Sequence, residues 1–132
     1  GKMNLEDFEK IDDLIYKQED FFEFEIPTFK FWKFNIPISG GGYLRLFPYQ
    51  VISILIKKYL KKHNNFVFYL HPFELTEEKL PFPKDISIKD RFRASVGRKG
   101  NLKKLEKILK MLIKNGAEFY TFEQVMKNKI VR

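Results

Sequence analysis

Asn35-Ile-Pro-Ile-Ser-Gly-Gly-Gly-Tyr-Leu-Arg-Leu-Phe-Pro-Tyr49 and Asn65-Phe-Val-Phe-Tyr-Leu-His-Pro-Phe-Glu-Leu75, joined by a helix-length segment, decide how this chain is read. The first stretch reads as a strand end opening into a glycine loop, with Tyr43 and Arg45 beside it. Three successive glycines let the backbone take positive φ and come close to whatever lies opposite. No Lys-Ser/Thr pair follows them, which argues against a phosphate-cradling P-loop. The second stretch is a continuous apolar run, the pattern of a strand covered on both faces. It delivers His71 to its C-terminal edge, where open α/β sheets and barrels place their ligands. His71 is therefore the first candidate for chemistry, the alternative being a core histidine bonded to a backbone carbonyl.

Working outward, the order of elements follows from spacing. Leu5, Phe8, Ile11, Leu14 and Ile15 recur at helical intervals and predict an amphipathic helix over residues 4–17, within an acidic N-terminal arm of residues 1–20. Phe22, Phe24 and Ile26 alternate with Glu23 and Glu25, the period of a strand with one wet face. Two closely spaced prolines make Phe29–Ile38 an edge strand or an extended connection. The phenylalanine and tryptophan cluster from Phe21 to Phe34 is read as core or as a surface for stacking sugars.

From Tyr49 to Lys62 a stripe of Ile52, Leu55, Ile56 and Tyr59 predicts a helix, with lysines and His63 favourable at its C-terminal end. Strand Phe66–Leu70, a polar loop over Leu75–Pro83 and a short helix begun by Ser87 come next. A second long helix, capped by Asn101, puts Leu102, Leu105, Leu109 and Leu112 on one face, and Gly116 stops it. Glu118–Tyr120 reads as a short strand, and Thr121-Phe-Glu-Gln124 as a capping box opening a last helix. Beyond Ile26 the order alternates strand and helix, which predicts an α/β fold: a partial (β/α) barrel-like fragment with a small, mostly parallel sheet flanked by helices.

Composition sets outer bounds. At 132 residues one domain is expected, and 44% hydrophobic residues suffice for a modest core. There is no cysteine, which excludes disulfides and thiolate metal sites. No apolar run has transmembrane length, and Gly1-Lys2-Met3-Asn4 does not open a signal peptide, so the expected location is cytoplasmic. Charge is uneven: residues 1–26 balance to −6 and residues 27–132 to +14. A basic body can attract a polyanion, although lysine-rich helix faces are commonly just solvated. No recognition helix or arginine-aromatic stacking motif argues for nucleic acid.

Pro37-Ile-Ser-Gly-Gly-Gly-Tyr-Leu-Arg-Leu-Phe-Pro-Tyr49, followed by Val67-Phe-Tyr-Leu-His-Pro-Phe-Glu74, resembles the C-terminal region of polysaccharide deacetylases of the nodulation type, in the subfamily found in exopolysaccharide gene clusters. The resemblance extends through Asp90-Arg-Phe-Arg93 and the tail from Leu102 to Val125, covering roughly residues 22–128. It implies a metal-dependent hydrolase that removes N-acetyl groups from a sugar polymer. Within it, His71 stands where the family places the histidine that protonates the leaving amine, a task suited to a group titrating near neutral pH. Gly41, Gly42, Tyr43 and Arg45 would lie near the sugar.

The family's divalent metal, zinc or similar, is held by an aspartate and a His-x-x-x-His pair. This sequence contains only His63 and His71, and Asp12-Asp13 has no histidine pair behind it. A tight transition-metal site needs about three convergent ligands. The chain is thus expected to carry no metal ligands and to be catalytically incomplete alone. Its expected partners are an N-acetylated polysaccharide and either the missing deacetylase region or a second copy joined through an open sheet edge. A non-catalytic carbohydrate-binding module and a basic polyanion-binding protein are the alternatives.

Overall fold

The structure, a computed structural model, describes residues 7–130, with side chains to residue 128. Strands β1 (Glu9–Asp12), β2 (Ile15–Gln18) and β3 (Phe21–Phe24) form one antiparallel sheet in that order. Strands β4 (Thr28–Phe31) and β5 (Phe34–Pro37) form a separate antiparallel hairpin, with Phe29 opposite Ile36 and Phe31 opposite Phe34. Helices α1 (Gly41–Leu46), α2 (Tyr49–Leu60), α3 (Ile88–Ser95), α4 (Asn101–Lys114) and α5 (Phe122–Ile130) follow, with a 3₁₀ turn at Pro72–Glu74 between α2 and α3.

The expected α/β fold, a partial barrel with a mostly parallel sheet, is overturned by this arrangement. All named strands pair antiparallel, and parallel pairing is reduced to one bridge between Gly40 and Tyr69. In that bridge the Gly41 N–H donates to the Tyr69 carbonyl at 2.9 Å, and the Tyr69 N–H donates to that of Ser39 at 3.1 Å. The segments expected as strands at Phe66–Leu70 and Glu118–Tyr120 form no ladder. A cavity of about 760 Å³ lies between them, walled also by Ile15 and Phe24. A strand needs a run of hydrogen-bonded partners as well as an apolar pattern, and among the described residues Phe66–Leu70 has only the bridge at Tyr69.

The helix expected over residues 4–17 gives way to a β-hairpin of β1 and β2; residues 4–6 lie outside the described residues. Helical spacing was present, but Asp12 Oδ1 accepts the Asp13 N–H at 2.7 Å, a local bond that competes with helix formation. Distant contacts then hold the turn. The Asp13 carboxylate meets His63 Nδ1 at 3.0 Å, and Asn65 donates its side-chain amide to the Asp13 carbonyl at 2.8 Å. His63, expected only to complement a helix end, thus pins the N-terminal sheet to the end of α2.

Gly40–Gly42, expected as a loop, splits: Gly40 is the residue before α1, and Gly41 and Gly42 form its first turn. Asn101 does not cap α4. Gly100, at φ 74°, precedes the helix, and the Asn101 amide reaches back to the Glu74 carbonyl at 2.9 Å.

Other expectations hold. The Ser87 hydroxyl accepts the Asp90 N–H at the start of α3. Gly116 takes φ 81° after α4. Thr121 and Gln124 exchange side-chain-to-backbone bonds at the start of α5, the reciprocal arrangement of a capping box.

The core is where α2 crosses α4. Ile52, Ile56 and Tyr59 pack with Leu105, Ile108, Met111 and Leu112, and Leu14, Ile38 and Leu44 close the cluster. Leu102, expected on the buried face, is exposed, and Ile108 and Met111 take the inner positions. Among the described residues no helix is long and apolar enough to cross a membrane.

Tyr59 gives this core a measurable pH dependence. Burial, with the Asp13 and Glu25 carboxylates adding to it, pushes its phenol up from 10.0 to about 12. The unfolded chain loses that proton first, so the associated stability is complete below pH 10 and lost as pH rises toward 12. Urea titrations across this window are expected to show a declining unfolding free energy, and Tyr59→Phe should flatten the decline.

Candidate functional site

Gly41 is the closest point of approach between α1 and the 3₁₀ turn. A Cβ at Gly41 would fall inside the Glu74 carboxylate, so only glycine fits there. Glu74 is 3% exposed, which demands that its charge be matched. Its Oε1 stands 3.4 Å from Arg45 Nε, with both side chains nearly sealed from solvent, and its Oε2 accepts the His71 N–H at 2.9 Å. The 3.4 Å contact is an ion pair whose geometry is too loose for a hydrogen bond.

Arg45 directs the rest of its guanidinium at α3. Nη1 donates to the carbonyls of Arg93 and Ala94, each at 3.2 Å, and Val96 at 2.8 Å. Those are carbonyls that a helix C-terminus leaves without intrahelical partners, and the negative end of the helix dipole favours the cation. Lys104 does the same for α1, donating to the carbonyls of Leu44, Arg45 and Phe47 at 2.8, 3.1 and 2.9 Å. Burial lowers the Lys104 pKa from its ordinary value. Arg98 Nε donates to the Phe73 carbonyl at 2.7 Å, while its Nη2 donates to Thr76 Oγ1 at 3.1 Å and to the Glu78 carbonyl at 2.7 Å. Gly97, at φ 72°, lies against α1; a Cβ there would come within 2.5 Å of the Arg45 carbonyl oxygen.

Above this buried frame the side chains are exposed. His71 lies between two rings: Tyr69 meets it edge-on with centroids 4.9 Å apart, and Phe73 stacks on it at 5.5 Å. Tyr69 is 51% and Phe73 37% exposed, and His71 is exposed as well. The His71 backbone is held by Glu74, and its ring stands exposed between Tyr69 and Phe73. Tyr43, exposed and stacked on Phe47 at 6.0 Å, extends from the first turn of α1, and a Cβ on Gly42 would meet open space.

Of the residues expected at a site, His71, Gly41 and Arg45 are thus drawn together around Glu74. Arg45 sits inward, its donors on protein carbonyls. Sequence reasoning missed Glu74, Arg98, Asn101 and Lys104. A charged residue inside the apolar run His71-Pro-Phe-Glu-Leu75 was the available signal for Glu74 alone.

Among the described residues no group of three or more His, Cys, Asp or Glu could hold a metal ion. Asp13 and His63 meet at 3.0 Å, but they supply two donors only. The 760 Å³ cavity is a separate feature: none of the expected site residues lines it, and its walls are chiefly apolar.

The site therefore belongs to a small α+β domain that presents one histidine on an aromatic shelf over a buried ion pair. This chain is a member of the family described as Domain of unknown function (DUF3473), which matches residues 5–127. That domain occurs at the C-terminus of polysaccharide deacetylases. No curated protein and no solved structure matches the chain.

Glu74→Ala is expected to cost about 3–5 kcal/mol, because the buried Arg45 loses its counter-charge and the His71 N–H its acceptor. Gly41→Ala should be similarly damaging, since the added methyl drives the buried Glu74 carboxylate from its place beside Arg45 and the His71 N–H. Chemical denaturation read by far-UV circular dichroism measures both; a loss below about 1 kcal/mol for Glu74→Ala would show that the pair is dispensable.

Proposed function

We propose that this chain is the C-terminal portion of a polysaccharide N-deacetylase of the exopolysaccharide-locus subfamily, contributing His71 to a site completed by residues outside it. The observation that carries this reading is the contrast at His71. Its backbone is fixed by a buried carboxylate, while its imidazole stands exposed beside the open first turn of α1.

Hydrolysis of an acetamido group adds water to the carbonyl carbon and breaks the C–N bond. The departing nitrogen must gain a proton to leave as an amine. An imidazolium at His71 supplies that proton from a fixed position, as general acid catalysis requires. Tyr69 and Phe73 present ring surface on which a sugar can stack, and Gly42 leaves room for its close approach. Gly41 and Arg45 act as positioning residues beneath, and Tyr43 sits at the rim. Activation of the attacking water falls to groups that this chain does not supply.

A second reading is a carbohydrate-binding module without catalysis. The Tyr69–His71–Phe73 shelf favours it, because three exposed rings in series can hold a glycan with no reaction at all.

Incubated with chitooligosaccharides and zinc, this chain alone is expected to release no acetate, and robust metal-dependent turnover would overturn the incomplete-site reading. In a longer chain bearing the family's aspartate and histidine pair, His71→Ala should lower kcat by about 10²–10⁴-fold with little change in KM. An unchanged kcat with weakened glycan binding would favour the binding module instead.

A further inference from the structure

The tip of the β4–β5 hairpin is the most exposed aromatic cluster among the described residues, and the site above does not use it. Phe31, Trp32 and Phe34 are 62%, 82% and 68% exposed, and none has a ring partner among the described residues. Phe31 and Phe34 are cross-strand partners on the face where Phe29 and Ile36, two residues inward, pack on the core. The core-facing side of the hairpin therefore runs on past the body of the protein. Trp32 heads the two-residue turn at φ 54°, a position that usually falls to glycine.

Charge completes the pattern. The only ionic side chains between Ile26 and Leu44 are Lys30 and Lys33, and no acidic residue occurs between Glu25 and Glu74. An apolar wedge with a cationic collar matches the boundary of an anionic bilayer. There tryptophan and phenylalanine sit at headgroup depth and lysines meet lipid phosphates.

The other occupants fit less well. The three rings expose only about 400–500 Å² between them, short of the roughly 800 Å² per partner of a stable protein interface. A second copy would bring the same two lysines against them. A glycan platform needs acceptors and donors beside the ring, yet the segment has no carboxylate. A bilayer accepts a wedge without shape complementarity.

We propose that the Phe31-Trp32-Lys33-Phe34 tip is a membrane-docking finger that inserts its aromatic side chains into the interface of an anionic lipid surface, with Lys30 and Lys33 on the headgroups.

Trp32 is the only tryptophan, so its emission reports this tip alone. Vesicles of phosphatidylcholine mixed with phosphatidylserine should shift that emission to shorter wavelength and carry the chain down on sedimentation. Phosphatidylcholine alone should bind on the order of 10- to 30-fold more weakly, the share of two lysines near a charged surface. Phe31→Ser/Phe34→Ser keeps the reporter and should lose most of the shift with an unchanged circular dichroism spectrum. Lys30→Glu/Lys33→Glu should abolish the preference for the anionic vesicles.

No shift with either vesicle overturns the proposal, and so does equal binding to both. It is equally overturned by a shift produced by chitohexaose without lipid, or by raising protein concentration without lipid. None of these outcomes bears on acetate release or on His71.

Discussion

A carboxylate and a guanidinium, sealed together beneath a glycine, are the constraint on which the rest of this protein depends. Removing Glu74 and Arg45 from water is unfavourable by several kcal/mol per ion, and their mutual attraction offsets it only where further hydrogen bonds satisfy both. The chain provides one such bond from within the 3₁₀ turn's own segment and the others from α3, far along the sequence. Glu74 takes the His71 N–H, and Arg45 takes three carbonyls at the end of α3. The result is a junction at which α1, the 3₁₀ turn and α3 must arrive together. Gly41 is there because the Glu74 carboxylate fills the space a side chain would take, and Gly97 because the backbone of α1 passes too close for one.

The same junction explains how an exposed histidine can be well placed through its main chain. Lys104 terminates α1 and Arg98 secures the loop from Phe73 to Glu78, so both ends of the His71 segment are tied to elements that pack on the core. Rigidity reaches His71 through its main chain, leaving the imidazole available to a substrate. A ring held by side-chain bonds would be equally fixed, but part of its proton-transfer capacity would be committed.

How far the sequence disclosed this follows from which interactions are local. Capping at Ser87 and at Thr121 with Gln124, the left-handed stop at Gly116, and the two long amphipathic helices were legible because each is decided within a few residues. The residue-4–17 helix was misread because Phe8, Ile11, Leu14 and Ile15 satisfy helical spacing, while the pairing of β2 with β3 and the tie from Asp13 to His63 are long-range. Phe66–Leu70 has the composition of a buried strand, but composition does not supply a neighbour. His71, Gly41 and Arg45 stood out by residue type and order. Their common partner Glu74 did not, since a glutamate's burial depends on an arginine 29 positions earlier and a glycine four before that.

The two solvent-facing features of the chain divide along the same lines. The shelf at Tyr69, His71 and Phe73 is underpinned by buried charges, so its geometry persists whether or not anything is bound. Among the described residues the hairpin tip at Phe31–Phe34 has no such underpinning, and beyond Phe29 and Ile36 its own ladder holds it. A preorganised surface suits a reaction, in which atoms must meet within tenths of an ångström. A lightly supported apolar tip suits a surface without fixed shape, where burial of area counts and register does not. The placement of charge agrees. The shelf rests on a neutralised pair, whereas the tip carries two uncompensated lysines and so retains a long-range attraction for whatever negative surface it meets.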